Sequence, residues 1–238
     1  MTTLGLIGGM SWHSTIEYYR VINETVARRL GGHHSAPVLI DSLDFQTVRD
    51  LQLAEDWEGA GRHLADSARR LERAGADVVM IATNLMHKVA PAVEAATDAS
   101  LLHIGDAVGA RAAREGLQTV GLLGTRWVMA ETFYPERLAR HGVATVSPDP
   151  SRHAEIDRII FDELTRGIVR EESRAYYRSA VDELVARGAQ AIVLACTEIM
   201  LLLGDDDASV PLVDSMTTHA LAAAEVLLAD GPGPAPSL

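Results

Sequence analysis

The feature that most constrains the fold of this chain is an internal repeat. Residues 71–84 read LERAGADVVMIATN, and they can be laid over residues 184–197, which read LVARGAQAIVLACT and stand 113 positions further on. A second match places GLLGT at 121–125 over GLIGG at 5–9, with an offset of 116 positions. Any two αβ units look somewhat alike, but two matched segments at nearly equal offsets favour a duplication of one α/β half.

Strand-like and helix-like segments alternate along the chain, and this alternation predicts the fold class. Short aliphatic runs predict strands at 4–9, 37–42, 77–82, 101–104 and 119–123. Helical spacing predicts helices at 14–30, 56–74, 86–96 and 106–115, and the same alternation continues to about residue 228. Aromatic residues make up only 5% of the chain, which suits aliphatic strands buried on both faces. We therefore expect an α/β protein with mostly parallel sheets flanked by helices.

The duplication also predicts how the chain divides into domains. We expect a first α/β domain formed by residues 1–107 together with 209–230, and a second formed by residues 108–208. Residues 231–238 are rich in glycine and proline, which predicts a flexible tail.

Composition argues against several partners and chemistries. The formal net charge is −12, whereas nucleic acids and anionic membranes select for basic surfaces, although an acidic excess can also serve solubility alone. No apolar stretch reaches the roughly 18 residues of a spanning helix, and the N-terminus lacks the pattern of a signal peptide. The single cysteine, Cys196, permits no intrachain disulfide and fits a reducing, cytoplasmic compartment. Lys88 is the only lysine, so a pyridoxal phosphate Schiff base would have to form there.

The repeat makes a chemical point about two of its positions. Thr83 and Cys196 are equivalent, and each follows a predicted aliphatic strand at its carboxyl end. Ligands of open α/β sheets collect at such strand ends. If the two halves face each other, these residues would flank one substrate from opposite sides. An enzyme that inverts a stereocentre needs that placement, because one group removes a proton and another delivers one to the opposite face.

Each of these residues also has an ordinary structural interpretation. A free cysteine after an aliphatic run is often a small buried hydrophobic residue, whereas a thiol near a helix start and backbone N–H groups would have a lowered pKa. Thr83 or Asn84 could simply cap the following helix, or both could grip a substrate carboxylate with the free N–H groups there. His87 could be a surface histidine on the first turn.

The glycine-rich segment GGMSW at 8–12 invites comparison with a phosphate loop. It lacks the G-x-G-x-x-G spacing, and no G-x-x-x-x-G-K-[ST] occurs, so nucleotide binding is unsupported. A tight glycine turn whose backbone N–H groups approach a carboxylate fits better. The nine histidines include no H-E-x-x-H, and cysteines for a zinc site are missing, so we expect no metal.

Taken together, these motifs resemble the Asp/Glu/hydantoin racemase superfamily, and most closely its aspartate/glutamate racemase branch. The resemblance covers about residues 5–228, and it is carried by GLIGGMSW at 5–12 with Ser14 and Thr15, TNLMHK at 83–88, LLGT at 122–125 and CTE at 196–198. It implies two pseudo-symmetric α/β halves with the active site in the cleft between them. It also implies catalysis without a cofactor, proton transfer between two opposed thiols, and a homodimer.

The chain departs from the usual family pattern at the first of the two thiol positions. Typical members carry Cys-Asn-Thr where this chain has Thr83, Asn84 and Leu85. A branch of L-aspartate/glutamate-specific racemases is similar in having a threonine there and one cysteine. Leu85 stands where a threonine hydroxyl usually contacts the substrate, so one hydrogen-bond donor is lost.

The resemblance assigns roles to residues of this sequence. Cys196 would be the general base on the L-enantiomer, and Thr83 would deliver a proton to the opposite face. The substrate would be an acidic amino acid. Residues of the matching segments would hold it, namely Met10, Ser11, Asn84, Leu85, His87, Thr125, Thr197 and Glu198. Gln52 and Arg126, which lie outside those segments, are candidates for binding the side-chain carboxylate. Two alternatives stay open, namely a single-thiol decarboxylase of the same superfamily and a non-catalytic protein that binds an acidic amino acid.

Overall fold

The computed structural model describes residues 2–229, so the predicted tail at 231–238 lies outside the described residues. The described chain forms two compact units. The first contains the residues up to Ile104 together with those from His219 onward, and the second is Gly105–Thr218. Among the helices of residues 2–229, none combines the length and apolarity needed to cross a bilayer.

The first unit is built on a four-stranded parallel sheet in the order β2-β1-β3-β4. Its strands are β1 (Leu4–Gly8), β2 (Val38–Ser42), β3 (Val78–Ile81) and β4 (Ser100–Leu102). Its helices are α1 (Trp12–Leu30), α2 (Phe45–Leu53), α3 (Trp57–Arg73) and α4 (Ala90–Glu94), with a 3₁₀ helix at Leu85–Val89. Two further helices, α5 (Ile104–Arg114) and α10 (Ser215–Ala229), each begin in one unit and end in the other.

The second unit repeats this plan with a parallel sheet in the order β6-β5-β7-β8. Its strands are β5 (Thr119–Gly124), β6 (Ala144–Val146), β7 (Ile192–Ala195) and β8 (Leu212–Asp214). Its helices are α6 (Arg126–Ala130), α7 (Phe133–Ala139), α8 (Pro150–Arg158) and α9 (Glu171–Ala186). A π-helical turn spans Ile159–Glu163, and short 3₁₀ helices span Leu164–Arg166, Thr197–Leu201 and Asp205–Asp207. The predicted α/β fold with parallel sheets flanked by helices is confirmed.

The internal repeat is also visible in the strand register. In the first sheet Gly5 pairs with Val79, and in the second Gly121 pairs with Ile192. These are the residues that the sequence offsets of 116 and 113 place over one another. The two sheets therefore share their strand order, their direction and the register of their central pair.

Three features differ from the sequence prediction, and each has a local cause. The second unit extends past residue 208 to Thr218, because β8 pairs with β7 and so belongs to the second sheet. The helix predicted at 86–96 is divided into a 3₁₀ turn and α4, since Pro91 lacks an N–H and its ring would clash with the preceding turn of a continuous helix, whereas it fits the first turn of α4. Helix α2 was not predicted at all; the Asp44 carboxylate caps it by accepting from the Gln46 N–H.

A glycine in each central strand allows a helix to pack closely on the sheet. A Cβ atom on Gly5 would lie 2.9 Å from the Cβ of Ala76 and 3.1 Å from the Cβ of Leu71. A Cβ on Gly121 would lie 3.2 Å from the Cβ of Leu184, the repeat equivalent of Leu71, and 2.6 Å from the flexible end of Ile192. The same close contact thus occurs in both units at repeat-related positions.

We expect Gly5→Ala to destabilise the protein by about 1–3 kcal/mol, because overpacking a dense core forces its neighbours to move. Gly121→Ala should lower the free energy of unfolding by less, since the atom nearest to the added methyl group is the flexible end of the Ile192 side chain. Urea unfolding of both variants measures the difference. In an Ala76→Gly background the cost of Gly5→Ala should fall, and an unchanged cost would contradict the assigned contact.

Candidate active site

Two polar side chains stand next to each other at the carboxyl edge of the second sheet. Cys196 follows β7, and Thr125 follows β5. Gly124 pairs with Ala195 in the parallel ladder, so the residues that follow them leave the sheet at neighbouring points. Adjacent strands lie only about 4.8 Å apart. The thiol and the threonine are therefore placed within reach of one small ligand.

The Cys196 thiol has a carboxylate as its partner. Its Sγ donates to Oε2 of Glu198 at 3.2 Å, and the Thr197 hydroxyl donates to the same oxygen at 2.6 Å. Cys196 is half-buried and packs against the apolar core of the second unit. Burial raises the pKa of the Cys196 thiol well above its usual value, and the Glu198 carboxylate raises it further. The resting group is therefore a protonated thiol.

The expectation that a helix start lowers the pKa of Cys196 is wrong. The helix that follows, Thr197–Leu201, is a five-residue 3₁₀ turn, which carries only a small dipole. A hydrogen bond from the backbone N–H of Glu198 does lower the pKa of the thiol. That effect is outweighed, because burial and the nearby carboxylate both disfavour a second negative charge.

Thr125 is a buried residue with an unused hydroxyl. Its Oγ1 has no hydrogen-bond partner among residues 2–229, although it stands at the start of α6. A buried polar atom without a partner costs about 1–3 kcal/mol, so a ligand that supplies one binds favourably there. The hydroxyl lies at the strand end where a substrate carboxylate was predicted.

Arg126 follows Thr125 and is exposed, with its guanidinium 4.1 Å from the centre of the Trp127 ring. Its backbone N–H donates to Oδ1 of Asp157 at 2.9 Å. The Asp157 carboxylate also raises the pKa of Cys196. Sequence reasoning missed Asp157, because it lies 31 positions from Arg126 and no local pattern marks it.

The corresponding edge of the first sheet carries Thr83 beside the glycine-rich turn. Thr83 follows β3, and the neighbouring Ala82 N–H donates to the Ile7 carbonyl of β1 at 2.9 Å. Gly9 has a φ of +85°, and a Cβ there would lie 2.0 Å from the Leu43 carbonyl oxygen, so this position requires glycine. Thr83 itself is half-buried.

The turn after β1 uses its polar groups within itself. The Gly9 N–H donates to the Thr15 hydroxyl at 2.8 Å, and that hydroxyl donates to the Ser11 carbonyl at 3.0 Å. Ser11 caps α1 by accepting from the Ser14 N–H, and Met10 is buried. Thr15 thus occupies the Gly9 N–H, so the predicted approach of this turn to a ligand carboxylate would have to use other backbone N–H groups of residues 8–12.

The residues after Thr83 are more deeply placed than the sequence suggested. Asn84 and Leu85 are buried, and the Asn84 side chain makes no capping bond to the 3₁₀ helix that it precedes, so the capping interpretation is wrong for it. Gln52 is buried on α2; its amide donates to Sδ of Met86 at 3.2 Å and accepts from Arg49 at 3.2 Å. Gln52 thus contacts this segment through Met86.

His87 is buried, so its interpretation as a surface histidine is wrong. Its Nδ1 donates to the Thr83 carbonyl at 2.8 Å, and its Nε2 accepts from the Ile104 N–H at 3.1 Å. Both ring nitrogens are thus used within the first unit.

The predicted site residues fall into two sets, one in each unit. The first unit contributes Met10, Ser11, Gln52, Thr83, Asn84, Leu85 and His87. The second contributes Thr125, Arg126, Cys196, Thr197 and Glu198. Within residues 2–229 no group of three His, Cys, Asp or Glu side chains is arranged to hold a metal ion. The second set contains an acid–base pair, the Cys196 thiol and the Glu198 carboxylate, and the first offers a hydroxyl and amide groups.

Known structures share this duplicated α/β fold. A candidate Asp/Glu racemase from Yersinia pestis is 47% identical, with a TM-score of 0.90 over 96% of this chain and 100% of that one. An aspartate racemase homologue from Pyrococcus horikoshii OT3 is 30% identical, with a TM-score of 0.81 over the same shares. A glutamate racemase from Francisella tularensis in complex with D-glutamate shares the fold at 13% identity, with a TM-score of 0.67 over 96% of this chain and 81% of that one.

The fold defines a duplicated α/β protein that carries one set of polar residues at the carboxyl edge of each sheet. Residues 7–223 match the family described as Asp/Glu/hydantoin racemase. The chain belongs to the Asp/Glu/hydantoin racemase family, as its motifs predicted.

We expect Glu198→Gln to lower the pKa of Cys196, because the substitution removes the charge beside the thiol. Burial remains, so the pKa should stay above its ordinary value. The pH dependence of iodoacetamide alkylation measures it, and Cys196 is the only cysteine that can react. Asp205→Asn, which removes an exposed charge of the same unit, is the control. An equal midpoint in Glu198→Gln and wild type would contradict the assignment.

Proposed function

We propose that this protein is a cofactor-independent racemase of acidic amino acids, aspartate or glutamate. The observation that carries the proposal is the equivalence of Thr83 and Cys196 at the strand ends of two sheets with the same order and register. Membership of the racemase family supports it, as does the likeness to an aspartate racemase homologue at 30% identity. The proposal requires the two residues to approach opposite faces of one substrate.

The first chemical step is removal of the α-proton by Cys196. That proton is a very weak acid, so the charge that develops on the substrate carboxylate has to be stabilised by hydrogen-bond donors. The buried Thr125 hydroxyl, which has no partner among the described residues, is suited to donate there. Ser11 and Asn84 are further candidate donors, whereas the Thr197 hydroxyl would first have to leave Glu198, to which it donates. Arg126 is a candidate for the side-chain carboxylate.

The Cys196–Glu198 pair supports a role for the carboxylate in preparing the base. The resting thiol already donates to Glu198, so moving its proton along that bond would produce a thiolate and a neutral carboxyl group. The thiolate would then take the α-proton of the L-enantiomer. An anionic substrate would repel the thiolate and so oppose its formation. A neutral Glu198 carboxyl group would add no further negative charge beside the thiolate, whereas an ionised one would.

The second step is delivery of a proton to the opposite face by the Thr83 hydroxyl, directly or through a water molecule. A threonine hydroxyl is a far weaker acid than a thiol, so delivery at Thr83 would be slower than removal at Cys196. The reaction should therefore be slow and biased in direction, with exchange of the L-enantiomer's α-proton outpacing inversion.

Proton NMR of L-aspartate and L-glutamate in D₂O tests the first step. Wild-type protein should remove the α-proton signal, and Cys196→Ser should lose this activity by a factor of roughly 10² or more, because serine is a much weaker base at neutral pH. Thermal unfolding of the variant shows that it is folded. Exchange retained in Cys196→Ser would contradict the role of the thiol. No exchange with wild type, combined with thermal stabilisation by either amino acid, would favour a binding protein.

Chiral analysis of Thr83 variants tests the second step. Thr83→Cys supplies a second thiol, so conversion of the D-enantiomer should become faster by about tenfold or more. Thr83→Ser keeps a hydroxyl and is the matched control. Thr83→Val should exchange the α-proton of the L-enantiomer without inverting it. Inversion at the wild-type rate in Thr83→Val would show that Thr83 delivers no proton.

A further inference from the structure

Three buried histidines form a cluster beside the segment that follows β3. His87, His103 and His219 are all buried, and the ring centres of His103 and His219 lie 4.4 Å and 5.7 Å from that of His87. Tyr18 completes the cluster, since its hydroxyl lies 3.0 Å from Nδ1 of His219. All four side chains belong to the first unit. Buried histidines normally have a partner for each nitrogen, and those partners reveal what a ring does.

The partners of His87 fix its tautomer. Nδ1 faces the Thr83 carbonyl oxygen at 2.8 Å, and a carbonyl can only accept, so Nδ1 carries the proton. Nε2 faces the Ile104 N–H at 3.1 Å, which can only donate, so Nε2 is unprotonated. A second proton on the ring would turn the Ile104 contact into two opposed donors. His87 therefore fits this place only as a neutral ring.

The rest of the cluster keeps His87 neutral and holds it in place. Burial lowers the pKa of His87 well below its usual value, and the nearby His103 and His219 lower it further. His219 has the opposite tautomer, because its Nε2 donates to the Leu102 carbonyl at 2.8 Å and its Nδ1 accepts from Tyr18. Burial also lowers the pKa of His219 to about 4.

His87 connects the exits of two adjacent strands. Thr83 leaves β3, and Ile104 begins α5 just after β4, whose Leu102 pairs with Met80 of β3. The bond from Nδ1 restrains the planar peptide group that links Thr83 to Asn84. Because the Thr83 side chain is attached to this backbone, a restraint on the peptide group also restrains the side chain. The Ile104 N–H, in turn, restrains the ring that makes this bond.

We propose that His87 is a positioning residue, which orients the Thr83 peptide through its Nδ1–H so that the Thr83 hydroxyl can deliver a proton to the substrate. This inference rests on the proposed function. Cys196 belongs to the second unit and makes its bonds there, to Glu198. Loss of the Nδ1–H donor should therefore impair inversion, which needs Thr83, more than exchange of the L-enantiomer's α-proton, which needs Cys196.

Two amide variants separate the two bonds of His87. The nitrogen of an asparagine side chain reaches the position of Nδ1, so His87→Asn can still donate to the Thr83 carbonyl. The oxygen of a glutamine side chain reaches the position of Nε2, so His87→Gln can still accept from Ile104 but donates nothing to Thr83. The measured quantity is the rate of inversion divided by the rate of α-proton exchange in D₂O. The substrate is L-aspartate or L-glutamate, whichever the wild-type protein acts on. This ratio does not depend on the fraction of protein that is folded.

We expect His87→Gln to lower the ratio of inversion to exchange by roughly tenfold, since a misplacement of a catalytic group by about 1 Å can cost that much or more. His87→Asn should keep the ratio within about twofold of wild type, which would be a rescue by the variant that retains the donor. Equal ratios in wild type and both variants would overturn the inference, because a merely structural histidine would lower both rates together.

Amide hydrogen exchange provides a readout that does not need activity. Protection of the backbone at residues 83–87 should fall in His87→Gln and be kept in His87→Asn. Equal protection in the two variants would overturn the assignment of the Nδ1 bond. If wild type neither exchanges nor inverts either amino acid, the proposed function fails, and this measurement alone decides whether His87 orients the Thr83 segment.

Discussion

The parallel pairing of the two central strands in each sheet determines where the candidate residues at the strand ends lie. Because parallel strands end at the same edge, pairing of Gly124 with Ala195 places Thr125 beside Cys196. In the first sheet, the hydrogen bond from the Ala82 N–H to the Ile7 carbonyl places Thr83 beside the turn that follows β1. A slip of one residue would exchange the two faces of each strand and separate these neighbours. The register is kept because the central strands are buried: β1 and β7 along their whole length, and β3 and β5 at every residue after the first.

Periodicity and the repeat were sufficient to predict the fold class, mostly parallel sheets flanked by helices, because buried parallel strands and their covering helices have strong and different patterns. The edge strands β6 and β8 were not assigned individually. The repeat also identified Thr83 and Cys196 as equivalent positions, and the strand register agrees with it. The limits of individual elements were less predictable. Pro91 divides one predicted helix, and α2 depends on a local cap rather than on a long apolar stripe.

Interactions between distant residues could not be read from the sequence. Nothing near Arg126 marks Asp157 as the acceptor for its N–H, and nothing near His87 shows that the Ile104 N–H faces it. The electrostatics of Cys196 depend on the same kind of information. A strand end followed by a helix suggests a lowered pKa, but the side chain of Glu198 turns back toward the sulfur, and the surrounding core removes water. The folded arrangement of these groups decides which effect is larger.

The protonated state of Cys196 affects how fast oxidants react with its sulfur. Peroxides react with thiolates, and a thiol that keeps its proton at neutral pH reacts slowly. The chain has no second cysteine, so a sulfenic acid formed at Cys196 could not be resolved as an intrachain disulfide. The Glu198 carboxylate, which raises the pKa of the Cys196 thiol, therefore also slows its oxidation.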